Sequence, residues 1–145
     1  MQIQRIQSVY LFLATIVMAV FTFLPVIGLT TAKGVETLGA LEVCGITTPM
    51  LLLLCLDVLI VVLLFITLFK FRNLSFQMIL CKVNILLIVS LLLSIAITAF
   101  MDREHAEVSI CWTIALPFVA MVLVMLAHKG ISHDKKLLSS SDRLR

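Results

Sequence analysis

The chain has 145 residues, of which 62% are hydrophobic and 13% charged, and its formal net charge is +3. A mean hydropathy of +1.21 excludes a disordered chain, which needs low hydrophobicity and high charge. It also argues against a soluble globular domain, because too little polar surface remains to cover so apolar an interior.

A bilayer core takes roughly 20 apolar residues of helix to cross. Four runs of that length predict an all-α membrane protein, an antiparallel bundle of four transmembrane helices. Strict alternation, the mark of a membrane β-barrel, is absent, and inside lipid the backbone must satisfy its own hydrogen bonds. The first span is expected at about 9–29, with Pro25 bending it. A cleaved signal peptide is the rival reading of this run, but the run is too long for a usual signal core. A first loop follows, broken by Gly34, Gly39 and Gly45; its glycines leave open whether it holds short strands. The second span is expected at about 49–69 and begins beside Pro49, where a missing N–H costs nothing. The turn at 70–76 is short, so the third span, about 77–99, returns antiparallel. A charged loop at 100–108 leads to the fourth span, about 109–127, in which Pro117 predicts another bend. The whole chain thus reads as one domain, ending in a basic tail at 128–145.

Orientation follows from the cations flanking the spans. Arg5, Lys70, Arg72, Lys82, Lys129, Lys135, Lys136, Arg143 and Arg145 fall on one side, and only Lys33 and Arg103 on the other. Nine against two predicts that both termini are cytoplasmic.

Asp57 is the most informative residue, because it interrupts an apolar run from Leu51 to Leu59. An ionised carboxylate at the centre of a span costs at least about 2.5–3.5 kcal/mol on insertion scales. It must therefore face the bundle interior, either as a proton or cation site or as a hydrogen-bonded group that locks helix positions. Folding the second and third spans together about Asn73 and Leu74 places it roughly opposite Ser90. Ser90, Ser94 and Thr98 recur every four residues, and Thr22 on the first span and Thr113 on the fourth extend the same small, polar lining. The candidate intramembrane polar site is thus Asp57, Ser90, Ser94, Thr22 and Thr113. Close packing through small residues is the simpler account of the stripe. Lys82, near the cytoplasmic end of the third span, is expected to snorkel to the headgroups rather than pair with Asp57.

Four cysteines occur without a C-x-x-C spacing, so no dithiol redox site is indicated. Cys44 and Cys111 both fall on the outer side and form a candidate disulfide. The three histidines lack zinc-ligand spacing, and no nucleotide, hydrolase or metalloprotease motif is present. No metal, cofactor or nucleic-acid partner is expected. The basic tail suits an anionic lipid surface or a cytoplasmic partner.

Two end segments carry a resemblance. Ile3-Gln4-Arg5-Ile6-Gln7-Ser8-Val9-Tyr10-Leu11 and the stretch from Leu137 to Ser141-Asp142-Arg143-Leu144-Arg145 resemble a family of small bacterial membrane proteins known as "domain of unknown function 4293", found in Bacteroidota. The resemblance implies four spans and residence in the inner membrane. It implies no activity and no catalytic residues. Marks at both ends point to Arg5, Asp142, Arg143 and Arg145 as candidate cytoplasmic contacts. The leading expectation is a non-enzymatic structural or interaction subunit, as a homo-oligomer or in a larger membrane complex. The alternative is a small carrier or channel component that uses Asp57.

Overall fold

A computed structural model describes residues 2–31, 34–39, 48–70, 73–102 and 107–142. Four helices dominate: α1 (Gln2–Phe23), α2 (Thr48–Phe69), α3 (Leu74–Asp102) and α4 (Ala115–Asp142). Each is long and apolar enough to cross a membrane. They pack in chain order around a square: α1 on α2, α2 on α3, α3 on α4, and α4 back on α1, the last contact being the most extensive. The expected all-α bundle of four membrane helices is the fold observed.

One seam runs through all four helices. Its positions are 7, 11, 14, 18 and 21 on α1; 57, 60, 64 and 67 on α2; 77, 81, 84, 88, 91, 95 and 98 on α3, where Leu80 is buried beside it; and 117, 120, 124, 127, 131 and 134 on α4. Steps of three and four alternate, the repeat of helices whose side chains interlock as in a coiled coil. The outward positions are also apolar: Phe12, Val62, Leu86, Leu93 and Val122 are all exposed. Lipid is as apolar as leucine, so such a face costs nothing in a bilayer.

The connections at one end form a small sheet. β1 (Pro25–Thr31) pairs antiparallel with β2 (Gly34–Gly39) on one edge and with β3 (Glu107–Ile110) on the other. The order is β2-β1-β3. The first span is therefore shorter than expected at its C-terminal end, with α1 stopping at Phe23. The cause is Pro25: the residue before a proline is pushed out of the helical region. Pro25 then opens β1, and the ladder is irregular between Pro25 and Ile27, where a proline lacks its N–H.

The fourth span is displaced the other way. A 3-10 turn at Trp112–Ile114 precedes α4, so Pro117 lies within the span Trp112–Leu137 as expected, but in the first turn of its helix. Helical N–H groups there have no partner within the helix, and the proline displaces none. At its far end α4 continues to Asp142, so most of the stretch expected as a tail is helix. Buried Ala127, Ile131 and Asp134 carry the seam into that stretch, and α1 supplies the surface it packs on.

Candidate functional site

Asp57 lies on the seam of α2 and is 0% exposed. The Thr22 hydroxyl of α1 lies 2.5 Å from its Oδ2. The same hydroxyl lies 3.1 Å from the Met18 carbonyl one turn back, so one proton is offered to two acceptors. Among the described residues Oδ1 of Asp57 has no hydrogen-bond partner. Thr22 precedes the last residue of α1, so the pair sits beneath the sheet, whereas the sequence places Asp57 near mid-membrane.

Of the five residues of the expected polar site, only these two are joined by a hydrogen bond. Ser90 donates to Leu87 O at 2.8 Å and Ser94 to Leu91 O at 2.7 Å, both within α3. Thr98 donates to Ser94 O at 2.8 Å. The seam of α3 passes through Leu91 and Ile95, which leaves Ser90 and Ser94 half-buried beside it. Thr113 reaches elsewhere: its hydroxyl donates to Pro25 O at 2.6 Å and ties the entrance of α4 to the start of β1.

Two polar clusters lie toward the opposite end. On α1 and α4, the Gln7 amide donates to Asp134 Oδ2 at 2.6 Å, both side chains being buried. Gly130 makes room for it, since a Cβ there would stand 2.9 Å from Gln7 Cγ. On α2 and α3, the Asn84 amide lies 3.3 Å from Thr67 Oγ1 and 3.0 Å from Leu80 O. The Gln77 amide donates to Thr67 O at 3.4 Å, and the Thr67 hydroxyl to Leu63 O at 2.6 Å. Asn84 Oδ1 and His128 Nε2 are buried without a partner among the described residues. A signal for these groups exists in the sequence. Gln77, Asn84, Leu91 and Thr98 recur every seven residues, as do Thr113, Ala120, Ala127 and Asp134. A polar residue repeating at seven within an apolar run marks the inward face when hydrophobicity cannot.

The chain matches over residues 3–144 the family described as "Domain of unknown function (DUF4293)". It belongs to this family. No curated protein matches it. As a DUF4293 member it is matched through both ends. Arg5 is in the first turns of α1 and Asp142 closes α4; their side chains, and all of Arg143 and Arg145, lie outside the described residues. The Gln7–Asp134 bond brings the two terminal segments to one end of the bundle. Cys44 also lies outside the described residues, and the half-buried Cys111 carries a free thiol. Lys82 is exposed on α3 and takes no part in the Asp57 pair. Among the described residues no three His, Cys, Asp or Glu side chains are grouped as a metal site.

Proposed function

We propose that this multi-pass membrane protein is a structural or interaction subunit of a bacterial inner membrane, with both termini in the cytoplasm. The observation that carries this reading is the arrangement of the buried polar side chains. They bond across neighbouring helices, Thr22 to Asp57, Asn84 to Thr67, and Gln7 to Asp134, as groups that fix helix register do. Between Asp57 and Thr67 lies about 15 Å of helix, at 1.5 Å per residue. The buried side chains at that depth are Met18, Ala14, Ile60, Leu64, Ile88, Leu91, Ala120 and Val124. The hydroxyls beside that interval, Thr15, Ser90 and Ser94, are half-buried and each donates to a carbonyl of its own helix, so among the described residues none is bonded to Asp57. Orientation is supported by the exposed cations Lys70, Lys82, Lys129, Lys135 and Lys136, all away from the sheet.

The second reading, a carrier component using Asp57, is favoured by the unpartnered Oδ1. One comparison separates the two. Asp57→Asn in proteoliposomes keeps an oxygen that accepts the Thr22 hydroxyl, so it is expected to change stability by no more than about 1 kcal/mol, the scale of an interhelical hydrogen bond, and to leave proton and cation leak at the wild-type level. A wild-type flux that Asp57→Asn abolishes overturns the structural reading. Mild-detergent purification from native membranes is expected to recover the protein with a stoichiometric partner or as a defined homo-oligomer. Recovery as a monomer with no partner counts against the interaction role.

A further inference from the structure

At the end of the bundle away from the sheet, α2, α3 and α4 enclose a cleft of about 480 Å³. It is lined by Lys70, Asn73, Leu74, Ser75, Phe76 and Lys135. A second cleft of about 510 Å³ opens beside it and shares Lys70 and Asn73; its other walls are Phe65, Ile66 and Phe69 of α2. The first cleft is cationic and polar. The second is aromatic and lies on the membrane side of Lys70.

We propose that the two clefts together bind one anionic phospholipid, its phosphate between Lys70 and Lys135 and an acyl chain along Phe65, Ile66 and Phe69. Lys70 follows the last residue of α2 and Lys135 is on α4, and among the described residues neither is in an ion pair. Lys70 Nζ lies 6.0 Å from the centre of the Phe76 ring. The acid next to Lys135 in sequence, Asp134, is turned inward onto Gln7. Two unopposed ammonium groups in one recess suit an anion, and the Ser75 hydroxyl and the exposed Asn73 amide are donors for its remaining oxygens. Phe65 and Phe69 are exposed and pack edge to face, with ring centres 4.7 Å apart, giving an apolar wall directly below the charges. Free phosphate accounts for the cations but leaves that wall without a role. A zwitterionic lipid accounts for the wall and offers a phosphate, but it brings its own cation into a recess that already holds two. Basic recesses between membrane helices at the interface are suited to anionic headgroups in this way.

The test is native mass spectrometry of the full chain released from vesicles of equal parts phosphatidylglycerol and phosphatidylcholine. Wild type is expected to retain phosphatidylglycerol in preference. Each lysine near an anionic surface is worth roughly fivefold in affinity, so Lys70→Gln and Lys135→Gln should each lower the preference by about that factor, and the pair should abolish it. The double variant Lys129→Gln with Lys136→Gln removes the same charge outside the cleft and is expected to keep the preference. Equal retention of the two lipids by wild type overturns the proposal. So does an equal loss in the Lys129 and Lys136 variant, which would show diffuse attraction. Displacement of the lipid by inorganic phosphate at matched concentration would assign the site to free phosphate instead. If the paired variant fails to fold, the two single variants carry the same comparison.

Discussion

Gln7 and Gly130 show how little freedom a buried polar contact leaves. The Gln7 side chain is held by Asp134 on one side, and its Cγ, Cδ and Nε2 occupy the space a Cβ at position 130 would need, at 2.9, 3.3 and 3.2 Å. Gly130→Ala is expected to destabilise the bundle by about 1–3 kcal/mol, the usual cost of overpacking. Gln7→Ala removes the obstructing atoms, so in that background the same change should cost less. A double-mutant cycle read by unfolding in detergent measures the difference. Strict additivity would mean that the two positions do not touch. Thr22 and Asp57 obey the same logic, except that the acid, not the space, makes the site demanding.

At the scale of elements, the link between the sheet and the bundle depends on one side chain. Thr113 donates to the Pro25 carbonyl at 2.6 Å, and the Cys111 N–H reaches Val26 O at 3.4 Å nearby. These contacts join the entrance of α4 to the exit of α1 through β1. Thr113→Val keeps the shape and removes the donor to a part-buried carbonyl. The expected cost is about 0.5–1.5 kcal/mol. Its signature is local: amide hydrogen exchange should quicken in β1 and in the first turn of α4, while the middle of α3 keeps its protection. Uniform loss of protection would show that the sheet is not a separable unit.

For the whole molecule, the two ends differ in chemistry as a membrane protein's two interfaces do. Phe23, Phe100 and Trp112, at 77%, 76% and 76% exposure, stand out at the sheet end, as aromatic residues do at a headgroup boundary. The exposed lysines gather toward the other. A reporter active only outside the cytoplasm is therefore expected to work when fused after Gly39 and to fail when fused after Arg145. The reverse pattern would invert the bundle in the membrane, and activity at both points would break the four-span topology.

Span number and helical class were legible in the sequence because both follow from hydropathy and length alone. The burial of Asp57 was legible as well, since a carboxylate in lipid has nowhere else to go. Which residues share its surroundings was not. A spacing of four in Ser90, Ser94 and Thr98 suggested one face, but the seam advances by alternating threes and fours and leaves Ser90 and Ser94 beside it. In water the apolar face of a helix reveals its inward side. Here the outward face is equally apolar, so only the polar residues mark the interior, and Gln7 and Thr67, outside the seven-residue repeats, are too sparse to be read without their partners. The sheet was hidden for a related reason: β1 begins inside an apolar run, and its pairing with β3 joins residues far apart in the chain. Composition and length determined that the chain enters the bilayer four times. Tertiary packing alone decided where α1 stops, which helices touch and which polar groups meet, because those depend on contacts that no local pattern contains.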